Sequence, residues 1–186
     1  MYVVKVRIHM IDNPITLARA EPADLPKFKQ ELQTAFSLAV IDKVGALEDG
    51  PIPSDRDLDA AIVAPGAQTF HILQDGQKVG GAVVSIDDAT HRNRLDLFFV
   101  TASQHGRGVG RQAWAAIEAL FPDTRSWETS TPYFEKRNIH FYVNVCRFQI
   151  VEFFNERHPD PHHPTSSDPI GDEMFRFMKE MQLGFR

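Results

Sequence analysis

The sequence predicts a single α/β domain in which seven strands and four helices alternate over residues 1–186. Three observations lead to this class. Apolar residues recur with a strand period in some segments and a helical period in others, in the order βααβββαβαββ and without an internal repeat. An apolar strand ending at Thr101 runs through a glycine-spaced turn directly into an amphipathic helix. A chain of 186 residues with 42% hydrophobic residues suffices for one buried core and is too short for two ordinary domains.

The first half of the chain is predicted to hold two helices and four strands. Residues 1–14 form a possible extra strand or extension ahead of these elements. The predicted strands are Ile15–Ala20, a hairpin of Thr69–Gln74 and Lys78–Ile86, and Asn93–Thr101. Asp75-Gly76 marks the hairpin turn because these residues tolerate a positive φ. The predicted helices are Pro22–Val40 and Asp55–Ile62, separated by a loop at Gly50–Pro53.

The second half is predicted to hold two helices and three strands. A helix from Gly108 ends at Pro122 and presents one apolar face to the sheet, formed by Val109, Ala113, Ala116, Ile117 and Leu120. The remaining elements are the strand Arg125–Thr131, the helix Phe134–Cys146, the strand Phe148–Asn155 and the strand Glu173–Met181.

The segment His105–Arg111 has the composition of an anion-binding loop. Three glycines at alternate positions let the backbone approach a ligand, and the first N–H groups of the following helix are free to bind phosphate oxygens. The loop of nucleotide hydrolases is excluded because Arg111 and Gln112 stand where Lys and Ser or Thr are required. A dinucleotide-binding fingerprint fits poorly because the spacing is G-x-G-x-G.

This segment resembles the acyl-CoA-binding motif of the GNAT superfamily of N-acetyltransferases, with His105 at the position of a Gln or Arg. A second block, Phe134–Phe148, resembles the superfamily's last helix, which commonly ends in Phe-Tyr, three residues, Gly and Phe. Here Phe148 falls one residue later than in that form, and Arg147 stands at the glycine position. A non-glycine residue in a left-handed helix cap costs roughly 1 kcal/mol, so the helix either accepts this strain or ends differently.

The resemblance covers about residues 15–181 and implies a fold, a cosubstrate and a reaction. The fold is a mixed central sheet of about seven strands flanked by about four helices. The cosubstrate is acetyl-CoA, whose acetyl group passes directly to an amine without a covalent acyl-enzyme and without a metal. The acceptor is expected to be a primary amine of a small molecule, a peptide or a protein. The alternatives are an acyl-CoA-binding sensor or regulatory module of the same fold and a binder of nucleotide phosphate.

The resemblance also implies cofactor-binding residues. The pyrophosphate is expected on the loop, and the backbone of the preceding strand is expected to pair with the pantetheine arm and leave an N–H near the thioester oxygen. Asn138 is expected to bond a pantetheine amide, or else to be an ordinary surface residue. The full set is Phe98, Phe99, Val100, His105, Gly106, Arg107, Gly108, Val109, Gly110, Arg111, Asn138 and Tyr142.

Three residues are candidates for the proton transfers of the reaction. Tyr142 matches the position from which a phenol protonates the CoA thiolate, since the ordinary pKa values of a phenol and a thiol, about 10 and 8.5, are close; alternatively it is a packed core tyrosine. Asp96 shares strand parity with Phe98 and Val100, so we expect its carboxylate to face the acceptor, unless it is an exposed strand-end residue. Glu128 on the neighbouring strand is a second candidate base.

The remaining features of the sequence concern partners, compartment and metal binding. A net charge of −5 argues against a nucleic-acid partner, no apolar run reaches the ~20 residues of a membrane span, and the single Cys146 suits the cytoplasm. The resemblance implies a homodimer, since dimers are common in the GNAT superfamily. His158, His162 and His163 are expected to lie in the loop before the last strand and not to form a metal site, because prolines interrupt the segment. No base is placed to make Cys146 a nucleophile. An acidic set either attracts a cationic amine or is a solvated face: Glu48, Asp49, Asp55, Asp57 and Asp59.

Overall fold

The computed structural model of the chain describes residues 14–44, 51–161 and 173–182. Its strands are β1 (Ile15–Arg19), β2 (Ala67–Gln74), β3 (Gln77–Ser85), β4 (Arg92–Val100), β5 (Ser126–Pro132), β6 (Gln149–Phe154) and β7 (Met174–Glu180). Its helices are α1 (Leu25–Val44), α2 (Asp55–Val63), α3 (Val109–Leu120) and α4 (Lys136–His140). The predicted order of elements is therefore confirmed. The predicted extension 1–14 lies, apart from Pro14, outside the described residues.

Local sequence explains where several elements begin and turn. A 3-10 turn over Pro22–Asp24 precedes α1, which accounts for the difference from the predicted start. Ser54 caps α2 by accepting a hydrogen bond from the N–H of Asp57 at 3.2 Å. Asp75 and Gly76 take φ values of 51° and 74°, as a two-residue hairpin turn between antiparallel strands requires.

The seven strands form one mixed sheet in the order β1-β2-β3-β4-β5-β7-β6. Helices cover both of its faces. Phe28, Leu32 and Leu58 of α1 and α2 pack on one face against Val83 and Phe99. The other face holds α3 and α4 and a larger aromatic core that includes Trp114, Trp127, Tyr142, Phe148 and Phe177.

The apolar face of α3 differs from the prediction at its end. Val109, Ala113 and Ile117 are buried as expected, but Leu120 is 48% exposed. The helix stops at this residue, and the next one, Phe121, packs instead against Trp127 with ring centroids 6.0 Å apart. Trp114, which the predicted face lacked, is 3% exposed.

The only parallel pair in the described sheet, β4 and β5, separates soon after it begins. The two strands are paired at three positions, from Arg92↔Ser126 to Arg94↔Glu128. Each strand then continues along its other neighbour, β4 along β3 to Val100 and β5 along β7 to Pro132. A wedge-shaped opening between the two halves of the sheet results, and we call it the split. Its vertex lies next to Leu95 and Thr129, and its mouth lies between the ends of β4 and β5.

The extra residue between Tyr142 and Phe148 is absorbed by a π-helical turn. Residues Phe141–Val145 continue α4 in this form, and the N–H of Cys146 bonds the carbonyl of Phe141 at 2.9 Å. A five-residue repeat adds one residue to a turn without moving the residues on either side. Arg147 then takes a left-handed φ of 68°, so the helix ends as a glycine would end it.

Candidate active site

The glycine-containing loop His105–Arg111 lies at the mouth of the split and has the geometry of an anion-binding site, which we call the cradle. Gly106 and Gly108 take φ values of 76° and 77°, which side chains rarely adopt, and a Cβ on Gly106 would find open space. Gln112 donates the first backbone hydrogen bond of α3, to the carbonyl of Gly108 at 3.1 Å. The N–H groups just before it have no acceptor within the helix and lie at its positive end. The residues present therefore fit a phosphate group.

The side chains of this cradle are arranged differently from the expectation. Arg107 and Arg111 are exposed, and no carboxylate in the described part of the chain pairs with either. Both nitrogens of the His105 ring are occupied: Nε2 lies 2.9 Å from the Val100 carbonyl, and Nδ1 lies 2.9 Å from a guanidinium nitrogen of Arg137. Arg137 belongs to α4, and its position beside the cradle was not predicted.

The edge of β4 offers free backbone groups to the split. The N–H of Thr101 bonds Val79 on β3 at 2.9 Å, whereas the carbonyl of Val100 points away from β3 to His105. Because backbone groups alternate along a strand, those of Phe98 share the direction of Val100 and face the split. Those of Phe99 face β3, and its side chain packs with Phe28, so Phe99 offers no backbone group to the split.

Aromatic packing ties the cradle to β4 and α4. Phe98 and Phe141 are stacked, with ring centroids 5.5 Å apart and an interplanar angle of 17°. A Cβ on Gly110 would lie 3.1 Å from the Phe141 ring, so this glycine lets α3 approach α4 closely. The three residues hold the two sides of the mouth at a defined spacing.

Tyr142 lies at the vertex of the split. The hydroxyl of Thr129 on β5 donates a 2.9 Å hydrogen bond to the Leu95 carbonyl on β4, just past the last strand pair. The Thr129 side chain is also a hydrogen-bonding neighbour of the Tyr142 phenol and lowers its pKa. The tyrosine ring is 6% exposed and packs against Phe141, Phe148 and Phe177. The catalytic expectation concerns the hydroxyl at the vertex of the split, and the core expectation describes the packed ring.

Burial changes the acid strength expected for Tyr142. Desolvation raises the pKa of its phenol to about 12, and the hydrogen bond with Thr129 offsets part of the rise. An ordinary phenol pKa near 10 was the basis for comparing it with a thiol. The phenol stays protonated at neutral pH, but transfer of its proton to a free thiolate, whose ordinary pKa is about 8.5, is uphill by roughly three to four pKa units.

Asp96 and Phe98 do not share a face as their strand parity predicted, because β4 contains a bulge between them. Val83 pairs with Leu97 while Val84 pairs with Leu95, which leaves Asp96 as the extra residue. The bulge reverses the alternation, so Phe98 packs with the α3–α4 core and Asp96 lies on the α1–α2 face. There its carboxylate accepts from Ser85 Oγ at 2.5 Å and pairs with Arg94 at 3.2 Å.

Glu128 lies on the same face as Asp96, at the last paired position before the split. Trp127 and Thr129 on either side of it point into the α3–α4 core, so Glu128 points the other way. Its carboxylate pairs with Arg176 at 3.0 Å, and Arg176 also pairs with Glu152 at 2.6 Å. The structure brings both candidate bases to the face opposite Tyr142 and gives each a charged partner.

Other predicted residues have structural partners. Asn138 donates to Thr131 Oγ1 at 3.2 Å. Burial raises the pKa of the Cys146 thiol to about 12, which argues against a nucleophilic role. His158 bonds Glu152 at 2.8 Å, and this bond is the main reason that the pKa of Glu152 is lowered.

The acidic residues of α2 fix that helix to its surroundings. Asp55 accepts from Gln33 at 3.0 Å, Asp57 from Ser54 at 2.7 Å, and Asp59 pairs with Lys29 at 2.9 Å. The other two members of the acidic set, Glu48 and Asp49, lie outside the described residues, as do His162 and His163. Among the residues that are described, no group of His, Cys, Asp and Glu is arranged to hold a metal ion. No described helix combines the length and apolar character of a membrane span.

Comparisons with known proteins agree with this architecture. The sequence profile of the Acetyltransferase (GNAT) family matches residues 27–148. The uncharacterized protein YrkN of Bacillus subtilis strain 168 is 54% identical over 174 residues, which cover 90% of this chain and 94% of that protein. An acetyltransferase structure from Thermus thermophilus superposes with a TM-score of 0.62 at 19% identity, covering 90% of this chain and 97% of that one. A Bacillus subtilis acetyltransferase solved in complex with CoA gives 0.61 at 16% identity, covering 91% and 99%.

Proposed function

This chain belongs to the GNAT acetyltransferase family, and from that premise we propose that it is an N-acetyltransferase that moves an acetyl group from acetyl-CoA directly to a primary amine. The amine belongs to a small molecule, a peptide or a protein. One observation carries the proposal: the split has an anion cradle at its mouth, free β4 backbone groups along one edge and a tyrosine hydroxyl at its vertex. Few ligands other than an acyl-CoA would use a phosphate site, then a free strand edge and then a buried phenol.

The binding part of the proposal follows from the order of these groups. The amides at the start of α3 and the backbone of Gly106 and Gly108 would hold the pyrophosphate of the cosubstrate. The Phe98 backbone, which faces the split, would pair with the pantetheine arm as a neighbouring strand does. The same edge would supply an N–H donor to the thioester oxygen, where negative charge develops during transfer.

The chemical part balances as a single exchange of bonds. The amine nitrogen bonds to the acetyl carbon, the carbon–sulfur bond breaks, and one proton passes from the amine side to the departing sulfur. Tyr142 would donate a hydrogen bond to that sulfur as its charge grows. Because burial raises the pKa of the phenol to about 12, we assign it the role of a hydrogen-bond donor that stabilises the charge on the leaving sulfur and keeps its own proton, while the proton that the amine gives up reaches the thiolate through solvent.

A carboxylate on the opposite face would receive the amine proton. Asp96 and Glu128 both lie there, so an acceptor approaching from the α1–α2 side would meet them while the cosubstrate occupies the split. Asp96 is the better candidate because it sits in the bulge of β4, beside the backbone groups that would hold the thioester. Glu128 is held by Arg176, which itself is shared with Glu152.

A second function, an acyl-CoA-binding module without transfer, is favoured by the burial of Tyr142. A tyrosine that is 6% exposed and bonded to Thr129 also serves as a core residue, and the cradle by itself needs only to bind. The two functions differ in one measurable respect, since only an enzyme releases CoA thiol when an amine is added.

The test is acetyl-CoA-dependent thiol release with a panel of polyamines, aminoglycosides, amino acids and peptides. The proposal predicts release that requires one class of amine, with initial velocities that indicate a complex of both substrates. Tight acetyl-CoA binding without release on any of these amines would favour the binding module. Release with a parallel-line pattern would contradict direct transfer.

A further inference from the structure

His105 is fixed as a neutral ring by its two partners. A guanidinium group has donors only, so the nitrogen that faces Arg137, Nδ1, must accept. A backbone carbonyl only accepts, so the nitrogen that faces Val100, Nε2, must carry the proton. With both nitrogens used in this way, the ring has no N–H left for a phosphate oxygen. The residue at the Gln or Arg position of the motif therefore provides neither a charge nor a donor to the cradle.

Arg137 brings the charge that His105 lacks. Its side chain is exposed, and no Asp or Glu of the described residues forms an ion pair with it. One N–H of the guanidinium is directed to His105, and the other donors of this planar group bond no side chain among the described residues. Since His105 adjoins Gly106, the free donors lie next to the backbone that forms the cradle.

We propose that Arg137 is a pyrophosphate ligand of acyl-CoA and that His105 acts as the acceptor that holds it there. This inference rests on the proposed function only in requiring that acyl-CoA binds. The same contact joins the end of β4 to α4, the helix that leads to Tyr142. Arg137 is thus a residue for cosubstrate binding, and His105 is a positioning residue that acts through it.

The experiment compares Arg137→Gln with Lys136→Gln by calorimetric titration of acetyl-CoA. Lys136 is an exposed cation on the same helix, so its substitution removes the same charge without the contact to His105. Loss of a charge-assisted hydrogen bond predicts a dissociation constant raised roughly tenfold to a hundredfold in Arg137→Gln, against less than about twofold in Lys136→Gln. Thermal unfolding of each variant verifies that the fold is retained.

Two further arms identify the phosphate and the role of His105. The loss of affinity in Arg137→Gln should be as large for 3′-dephospho-acetyl-CoA, which keeps the pyrophosphate, as for acetyl-CoA. Acetyl-pantetheine has no pyrophosphate, so wild type and Arg137→Gln should turn over this thioester at the same rate. If His105 acts only through Arg137, His105→Ala should weaken binding in the wild type but not further in Arg137→Gln. Three results would each overturn the inference. Wild type and Arg137→Gln would bind acetyl-CoA equally well, or the loss of affinity would disappear when the 3′-phosphate is absent, or the losses of the two single variants would multiply in the double variant. A wild type that binds no acetyl-CoA would instead contradict the proposed function.

Discussion

Tyr142 is expected to contribute to both catalysis and stability. It combines a hydroxyl at the vertex of the split with a ring in the aromatic core. Replacing it with Phe keeps the ring and removes only the donor. We expect Tyr142→Phe to lower the turnover number by more than about tenfold, the value of one hydrogen bond to a developing charge, while the acetyl-CoA dissociation constant stays nearly unchanged.

The matched control for this variant is Tyr133→Phe. Tyr133 is 45% exposed and stacks edge-on with Phe153, so loss of its hydroxyl should leave turnover unaltered. Thiol release gives the turnover number and calorimetry gives the affinity. An unchanged turnover number in Tyr142→Phe would remove the donor role and leave the core role.

The buried Cys146 makes stability sensitive to alkaline pH. Burial raises the pKa of this thiol to about 12, so the thiol ionises in the unfolded chain well before it does in the folded one. The unfolded state then binds fewer protons, and the free energy of unfolding falls as pH rises above about 9. The expected loss from this residue is about 2 kcal/mol between pH 8 and pH 10.5.

Urea unfolding of wild type and Cys146→Ala at both pH values measures this loss. The variant is expected to be less stable at pH 8 because a small cavity forms, but its stability should fall less on going to pH 10.5. Ionisation of the Tyr142 phenol lowers the free energy of unfolding of both proteins, and its contribution between pH 8 and pH 10.5 is smaller than that of Cys146. Equal losses in the two proteins would show that the thiol of Cys146 is not the group responsible.

At the scale of elements, the end of the π-helical turn stores strain. Arg147 holds a left-handed φ of 68° on an exposed side chain that makes no hydrogen bond or ion pair with the described residues. Glycine adopts this conformation freely, so Arg147→Gly should raise the free energy of unfolding by about 1 kcal/mol. Arg147→Ala keeps the strain and removes only the long side chain, so it should change stability little. Chemical denaturation measures both, and equal effects of the two substitutions would assign the change to the side chain.

The elements themselves were largely predictable, and their irregularities were not. Periodicity and turn residues located each strand and helix in order, because both depend on residues close in the chain. The extra residue before Phe148 was visible in the sequence, but its absorption by a π-helical turn depends on packing of Phe141 and Tyr142 against the sheet. The bulge at Asp96 has no local signal either, and it reversed the face on which this residue lies.

The parts of the candidate site that backbone atoms form were predictable from the sequence. Glycine spacing identified the cradle, since positive φ values at Gly106 and Gly108 are a local requirement. The partners of its side chains come from distant segments: Arg137 is 32 residues from His105, and Thr129 contacts Leu95 from 34 residues away. Only the folded sheet brings them together.

At the scale of the whole molecule, the split organises the two halves of the sheet around one opening. β4 and β5 remain joined at three residue pairs, while α3 and α4 approach each other through Gly110 and Phe141. The cradle, the free edge of β4 and the Tyr142 hydroxyl therefore face a common space. The proposed function requires that a long ligand with phosphate at one end and a reactive thioester at the other occupies that space.

The most direct test of this requirement is calorimetric titration of the wild-type protein with acetyl-CoA, with ATP titrated in parallel. We predict one acetyl-CoA per chain, with a dissociation constant on the order of micromolar to tens of micromolar, and much weaker binding of ATP, which carries phosphates but no pantetheine arm. Absence of acetyl-CoA binding, or ATP binding of equal strength, would contradict the assignment of the split and its cradle to an acyl-CoA cosubstrate.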